Sequence, residues 1–371
     1  MLTLTLISAT LAGELAAVGG ENLDSDERLD SDERLDVTLA DGDAIINGES
    51  ATTDDYPMTG GMLMRADIEI WGSTSSVSTI VCSSTLIAPD VVLLAAHCLD
   101  DYALTYGMGE VNNKELQWSR QADLTAWDGS GANPDWPADA VAVIDTVMHE
   151  DFDLTAMAIG IAENDDIALM FLAEAVTDVE PAYLPTLDEA TQLEEGLEVA
   201  VVGWGQQIAT DFFEQPEPGD YAIKMMGYSV LNELGDYELQ VGAVAEDVRK
   251  CHGDSGGPTF LDIETDSIES MRLIGVTSHA YDESDCDSKG GVDTRVDAYL
   301  DWIDNEMVTR CQDGTRVWCE TEGILAAPVA EASTDDDADA GGKRSGCSVV
   351  PVSPALAPML LSLVVVFRRR S

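Results

Sequence analysis

Short apolar runs separated by Gly, Asp, Asn and Pro recur through the middle of the chain. Leu197–Val202 and Leu273–Ser278 are two of these runs. Segments of this length, rich in β-branched residues and bounded by turn formers, are typical of β-strands. A terminal helix is expected over 297–309. The stretch 100–150, in which tryptophans stand among Asp, Gly and Pro, is interpreted as an elaborated surface loop region.

The N-terminal region divides into an apolar and an acidic part. Residues 1–17 are interpreted as a signal peptide with an apolar core at Leu2–Leu11. No Lys or Arg precedes this core and Glu14 interrupts it, so an ordinary apolar N-terminus is the alternative. A duplicated acidic hexapeptide then occupies 23–36 and is expected to be solvated and disordered.

The C-terminal region ends in an apolar stretch. Residues 310–342 are interpreted as a small cysteine pair followed by a linker rich in Ala, Asp and Gly. The stretch from Val349 to Phe367 is close to one bilayer crossing in length and is followed by three arginines. Its prolines weaken it as a permanent helix. The segment 343–371 is therefore expected to be a sorting or membrane-anchor tail, and a plain single-span anchor is the alternative.

The charge of the chain restricts its partners. There are 18 Lys and Arg against 71 Asp and Glu, for a formal net charge of −53. Such an acidic protein repels nucleic acid and anionic membrane surfaces. No nucleic-acid partner is therefore expected, and contact with a membrane is expected only through the tail. The high negative charge is interpreted either as a source of solubility or, more specifically, as an adaptation to a saline habitat. No EF-hand spacing is present, and neither a metal nor a cofactor is expected.

Three segments carry candidate chemistry. Ser255 lies in a Gly-rich loop, His97 follows an apolar run and two small residues, and Asp166 leads into a strand-like segment. Taken separately, these residues fit a tight loop, a core histidine and a turn acid. Taken together, they supply a nucleophile, a general base and an orienting carboxylate for acyl transfer.

These segments resemble the trypsin/chymotrypsin-like serine endopeptidases. The motifs Ala95–Cys98, Asp166–Leu169 and Gly253–Pro258 are similar to the base, acid and nucleophile motifs of that family, whose triad is a standard template. Gly203–Trp204–Gly205 and Trp302–Ile303 also match. The resemblance covers about Ile45 to about Met307 and implies an all-β fold of two six-stranded antiparallel barrels with a short C-terminal helix.

The resemblance implies a mechanism. His97 would take the proton of Ser255, Asp166 would orient His97, and the N–H groups of Gly253 and Ser255 would form the oxyanion hole. Asp165 competes with Asp166 for the orienting role. The expected function is a serine endopeptidase acting on protein or peptide substrates. A catalytically silent surface binding or adhesion module is the alternative, because some members of the family have lost catalysis.

The resemblance also implies activation by cleavage. Ile45 matches the mature N-terminus of the family, so 18–44 reads as an acidic propeptide and 45–309 as the protease domain. Cleavage after Ala44 would free the Ile45 ammonium to pair with Asp254. Because Ala44 stands where the family has Arg or Lys, the activating protease is expected not to be trypsin-like.

Seven cysteines indicate an oxidising compartment. The resemblance implies the bridges Cys82–Cys98 and Cys251–Cys286, which leaves Cys311 and Cys319 as a local pair. Cys347 is the odd cysteine, and its segment resembles bacterial Cys-containing, Arg-ended sorting tails. Processing at Cys347 by a sorting system would make the protein secreted and retained at the bacterial cell envelope or surface.

The expected substrate pocket is unusual in charge. Arg249 stands where trypsin-like members carry an acid, so a preference for Lys or Arg substrates is excluded. Either Arg249 faces the pocket and binds an acidic side chain, or it pairs with Asp293 and leaves a neutral pocket. The full set implied by the resemblance comprises Arg249, Lys250, His252, Ser278, His279, Ala280, Gly291 and Asp293.

Overall fold

The computed structural model describes part of the chain. The described residues are 45–105, 107–129, 134–208, 219–263, 270–282, 286 and 289–325. The expected signal peptide, the propeptide, the linker beyond 325 and the tail with Cys347 lie outside the described residues.

Six antiparallel strands form a first closed barrel. Two of its strands, Val91–Leu94 and Ala168–Leu172, are buried along their whole length and carry apolar residues on both faces. The strands pair in the order β2-β3-β4-β7-β6-β5 and then back to β2. They are β2 Thr59–Ile70, β3 Ser73–Ala88, β4 Val91–Leu94, β5 Gly109–Ser119, β6 Val141–Met148 and β7 Ala168–Leu172.

A second closed barrel follows in the chain. Its strands pair in the order β9-β10-β13-β12-β11-β8, and β8 closes on β9, while the short β1 adds to the outside of β9. They are β1 Glu49–Ser50, β8 Glu198–Gly203, β9 Met225–Leu234, β10 Glu238–Val241, β11 Pro258–Asp262, β12 Met271–Ala280 and β13 Gly291–Arg295. The predicted fold of two six-stranded barrels is thereby confirmed.

The helices are short. α1 spans Asp101–Thr105, α2 spans Leu187–Ala190, and the terminal helix α3 spans Leu300–Asp313. The left-handed Gly314 ends α3, at a φ of 80° that favours glycine. Turns of 3₁₀ helix occur at Ala96–Cys98, Leu154–Ala156 and Asp297–Tyr299. None of the helices in the described part of the chain has the length and hydrophobicity needed to cross a membrane.

The interpretation of 100–150 as a surface loop region is wrong for much of its length. It contains β5 and β6. The exposed residues of β5 are polar and resemble a loop in sequence, whereas β6 is mostly apolar and alternates half-buried and exposed positions. Trp118 is buried at the end of β5 and lies so close to Gly60 that a Cβ there would come within 2.5 Å of the ring. The tryptophan therefore belongs to the first barrel.

The folded region extends beyond the expected domain end at residue 309. After α3, the chain returns to the first barrel and buries Arg316 completely against Asp90, with Nη2 2.7 Å from Oδ1. Asp90 also accepts hydrogen bonds from the N–H groups of Val317 and Trp318. A bridge between Cys311 and Cys319 encloses this turn. The buried ion pair thus attaches the C-terminal extension to the turn between β3 and β4.

Replacing Arg316 by Met should destabilise the protein strongly. The change would leave the Asp90 carboxylate buried without its cation, a loss that typically costs about 3–5 kcal/mol. Urea unfolding would measure it. Arg120→Gln is the matched control, because its partner Asp178 is 69% exposed and such a pair contributes about 1 kcal/mol or less. Equal effects of the two substitutions would contradict this role of Arg316.

Candidate active site

A cleft with a volume of about 340 Å³ has His97 and Ser255 on its wall. His97 lies on the 3₁₀ turn that follows β4. The two preceding alanines, Ala95 and Ala96, are fully buried, and their small side chains let the turn pack closely. The buried strand thus ends by presenting the imidazole at the surface of the cleft, with 20% of the side chain exposed.

Asp166 holds the imidazole from behind. Its carboxylate is fully buried and accepts a 2.7 Å hydrogen bond from His97 Nδ1 and a 2.9 Å bond from the His97 backbone N–H. Ser278 Oγ donates a third bond of 2.6 Å. Because a carboxylate only accepts, the proton lies on Nδ1 and leaves Nε2 as the basic nitrogen toward the cleft.

Burial and pairing oppose each other in this pair. Burial raises the pKa of Asp166. The charge of His97 and the three hydrogen bonds lower it by more than burial raises it, so the pKa lies below the ordinary value. Burial also lowers the pKa of His97, and the charge and hydrogen bond of Asp166 raise it above the ordinary value. The carboxylate therefore stays ionised and favours a proton on the imidazole.

The neighbouring Asp165 points elsewhere. Its backbone is left-handed, with a φ of 53°, and its Oδ1 accepts a 3.0 Å bond from Tyr299. The nearest histidine to this carboxylate is His149, at 3.7 Å. Of the two acids considered from the sequence, Asp166 is the one in contact with His97.

Ser255 lies in a loop shaped by glycines. Gly253 and Gly256 have φ values of 96° and 76°, and a Cβ on Gly256 would come within 2.5 Å of Ser83 O. Among the described residues, no hydrogen bond joins Ser255 to His97, and neither the Gly253 nor the Ser255 N–H has an acceptor. The loop therefore presents two backbone donors beside the serine hydroxyl.

Ser83 supports this loop and was missed in the sequence. Its N–H donates to the carbonyl oxygens of Gly253 and Ser255, at 3.2 and 2.9 Å. Its hydroxyl donates to Gly253 O at 3.0 Å and accepts from Trp204 N–H. Ser83 belongs to the first barrel and Ser255 to the second, so the contact aligns the two halves of the site. Apart from its position next to Cys82, the sequence contains no signal for this role.

Asp254, beside the nucleophile loop, is buried, and no cation among the described residues contacts its carboxylate oxygens. The N–H groups of Gly205 and Cys251 donate to its carboxylate, each at 2.9 Å. A Cβ on Gly203 would come within 2.0 Å of Asp254 Oδ1, and one on Gly205 within 2.6 Å of its Cγ, which explains the two glycines around Trp204. Burial raises the pKa of Asp254 to about 6, against the effect of the two N–H groups.

The cleft continues into a pocket. Its base shows neither an Arg249 that faces the substrate nor an Arg249 paired with Asp293. Lys250, His252, Ser278, His279, Ala280 and Gly291 line it, as expected, whereas Arg249 and Asp293 do not. The expected pair of Arg249 with Asp293 is wrong, because Asp293 holds Lys250 Nζ on both carboxylate oxygens and accepts from Thr259 Oγ1. Adjacent residues of an extended segment point to opposite sides, so Lys250 takes the place expected for Arg249.

Arg249 points away from the cleft. Its guanidinium donates to the backbone oxygens of Cys286 and Ala245, each at 3.2 Å. Burial also lowers the pKa of His279 below the ordinary value. The structure thus gives no support to an arginine or a charged His279 that faces the substrate side chain.

Bridges at Cys82–Cys98 and Cys251–Cys286 frame the site. Each pair has a histidine nearby, His97 and His252 respectively. The sulfur atoms are oxidised in both groups, so neither group offers a thiolate to a metal ion.

Comparison with known proteins agrees with this geometry. The Trypsin family model matches residues 45–303. The chain belongs to the trypsin family. It is 29% identical to the CLIP domain-containing serine protease HP8 of Bombyx mori, over 71% of this chain and 70% of that protein. It is 30% identical to the CLIP domain-containing serine protease B10 of Anopheles gambiae, over 72% and 70%. Melanization protease 1 of Drosophila melanogaster is 27% identical, over 72% and 66%.

Membership of the trypsin family confirms the enzyme class expected from the motifs, a serine-type endopeptidase.

The stability of the uncut chain should fall as pH rises through about 6. The folded-state pKa of Asp254 lies above its ordinary value of 3.8. Its contribution to the stability is therefore complete below pH 3.8 and is lost as the buried carboxyl ionises. The loss amounts to up to about 3 kcal/mol. Urea unfolding between pH 4 and 8 would measure it. Asp254→Asn is expected to be less stable but to lack this part of the pH dependence. An unchanged slope in that variant would refute the assignment.

Proposed function

We propose that the chain hydrolyses peptide bonds through Ser255, His97 and Asp166. The observation that carries the proposal is the buried Asp166 carboxylate bonded to both His97 N–H groups, beside a cleft that also contains Ser255. His97 Nε2 would take the proton from Ser255 Oγ as the oxygen attacks the carbonyl, and would then protonate the leaving amine. Catalytic hydrogen bonds are often long before substrate binds, which fits the Ser255–His97 geometry.

The oxyanion of the tetrahedral intermediate would bind the N–H groups of Gly253 and Ser255. Both donors are without an acceptor among the described residues, and Ser83 holds the carbonyl oxygens on the other side of the loop. Loss of one such donor typically costs about 3 kcal/mol of transition-state stabilisation.

We also propose activation by cleavage between Ala44 and Ile45. The Ile45 side chain is fully buried in the second barrel, and Arg249 N–H donates to Ile46 O. In the uncut chain Ile45 has a φ of 44°, which is strained for a β-branched residue by about 1–3 kcal/mol. Hydrolysis removes the preceding carbonyl and with it this strain. The new ammonium would then supply the cation that the buried Asp254 lacks.

Replacing Ser255 by Ala should abolish peptidase activity without unfolding the protein, because it removes only the attacking oxygen. The measurement is the rate on a peptide library with protein matured to begin at Ile45. A serine-directed phosphonate should label the parent chain on Ser255 and leave the variant unlabelled. A parent chain that folds but takes no label would support the alternative, a silent binding module.

The specificity that we propose is for uncharged residues before the scissile bond. Lys250 is the cation at the base of the pocket, and it is already neutralised by Asp293 and hydrogen-bonded to Thr259. A substrate carboxylate would lose its hydration without gaining an unpaired cation, and a substrate lysine would meet Lys250.

Matched peptides with Gln, Leu, Glu and Lys before the cut should distinguish a preference for uncharged residues from a preference for acidic ones. Cleavage after Gln or Leu is expected to exceed cleavage after Glu at least tenfold, and Lys should be slowest, because charged groups stay desolvated in the pocket. Asp293→Asn should raise the Glu/Gln ratio by releasing Lys250. Faster cleavage after Glu than after Gln by the parent chain would contradict this proposal and support a pocket that prefers acidic side chains.

For the tail, we propose processing at Cys347 that retains the secreted protease at the cell envelope. The proposal rests on the unmatched cysteine, the apolar stretch after it and the terminal arginines. Deletion of 343–371 should release active protease into the medium, measured by activity in cell and supernatant fractions. Unchanged localisation would mean that the tail is not the anchor.

A further inference from the structure

A second histidine is hydrogen-bonded to the support of the proposed catalytic acid. His279 lies near the end of β12, on the wall of the cleft. Its Nδ1 is 3.0 Å from Ser278 Oγ, and its Nε2 is 3.2 Å from Gly160 O. Ser278 Oγ in turn lies 2.6 Å from Asp166 Oδ2. A continuous chain of hydrogen bonds therefore runs from His279 through Ser278 and Asp166 to His97.

The number of protons defines the direction of this chain. Ser278 has one hydroxyl proton, and the ionised Asp166 is the stronger of its two acceptors, so Ser278 donates to Asp166. The oxygen of Ser278 can then only accept from His279, which requires a proton on Nδ1. A serine oxygen that donates to a carboxylate is a better acceptor for a further donor, so the chain favours the Nδ1–H tautomer.

The other contact of His279 competes with this tautomer, because Gly160 O only accepts and a hydrogen bond to it would need the proton on Nε2. Losing that bond costs the loop little, since other contacts hold it. Gly160 N–H donates to Tyr281 O at 3.1 Å, and so attaches this loop to β12 independently. Glu238 accepts from Ala162 N–H and Asn164 Nδ2 in the same loop, at 2.8 and 3.0 Å. The loop before Asp166 is therefore held without His279, whereas among the described residues no group other than His279 donates to Ser278 Oγ.

We propose that His279 is a positioning residue for the catalytic acid, whose Nδ1–H orients the Ser278 hydroxyl toward Asp166 and thereby limits the basicity of His97. The proposal rests on the triad proposed above. A polarised Ser278 withdraws more charge from Asp166, and a less charged Asp166 stabilises the protonated His97 less. Without the His279 donor, His97 should hold its proton to higher pH and Asp166 should be less well fixed.

The charged side chains that act on His279 are Asp166 and Asp293, which favour its protonated form, and His97, which disfavours it. Burial is the largest influence and lowers the pKa of His279. The same Asp166, together with Asp100, acts on His97. His279 is therefore neutral over the pH range in which His97 must lose its proton, and acts through its hydrogen bond.

Three substitutions separate the two nitrogens of His279. Asn carries an amide nitrogen close to the position of Nδ1, Gln carries one close to Nε2, and Phe keeps the aromatic surface without a donor. The measurement is kcat and KM against pH, on protein matured to begin at Ile45. His279→Asn should have a kcat and an acid limb closer to those of the parent than the other two variants. His279→Gln and His279→Phe should lower kcat about three- to tenfold and move the acid limb to higher pH.

A purely structural wall residue would change KM alike in all three variants and leave the acid limb in place, which would overturn the proposal. Retention of the parent profile by Gln and its loss in Asn would also overturn it, in favour of the Gly160 contact. Ser278→Ala provides a second measurement. In that background, replacing His279 by Phe should change kcat no further, and an additional loss would contradict a route through Ser278.

Phosphonate labelling separates this inference from the proposed function. Failure of the parent chain to label on Ser255 would contradict the triad itself. Full labelling of His279→Gln, together with an acid limb identical to that of the parent, would contradict only the role of His279. Labelling also shows that each variant is folded before its kinetics are compared. If His279→Gln and His279→Phe do not fold, the test rests on His279→Asn. A pH profile of kcat for His279→Asn that equals that of Ser278→Ala would then overturn the proposal.

Discussion

The burial of one carboxylate constrains the whole arrangement of this molecule. Asp166 lies between the barrels and can remain ionised only if donors from both sides reach it. His97 supplies two of them from the first barrel, and Ser278 supplies one from the second. Thr294 of the second barrel also donates to the Asp166 backbone oxygen. The relative position of the barrels is therefore coupled to the hydrogen bonding of this charge, and the geometry of the proposed triad follows from it.

Several of the scarce cations are buried inside this acidic protein. Lys250 is buried on Asp293, and Arg316 is buried on Asp90. Lys224, also fully buried, donates to the backbone oxygens of Asp55 and Tyr56, and burial lowers its pKa to about 7. Each of these cations joins segments distant in the chain. An acidic surface thus coexists with an interior whose cross-links depend on positive charge.

The sequence was sufficient where chemistry is encoded locally. Short apolar runs predicted β-strands, the resemblance implied the two barrels, and the motifs around His97 and Ser255 identified the cleft. It was insufficient where the partner of a side chain depends on strand direction. The choice between Arg249 and Lys250 as the partner of Asp293 is a difference of one residue on an extended segment. β5 was missed because its exposed residues are polar and resemble a loop, and the mostly apolar β6 was assigned to the same loop region. Ser83 and the chain through His279 arise only from tertiary contacts.

The attachment of Arg316 to Asp90 has a consequence for biosynthesis. The two residues are separated by 226 positions, so a ribosome must release nearly the entire protease region before the first barrel can neutralise its buried acid. Until then, a chain emerging from the exit tunnel carries an N-terminal barrel with an unpaired internal charge. Contacts of such long sequence separation slow folding. The first barrel is thus synthesised first but completed last.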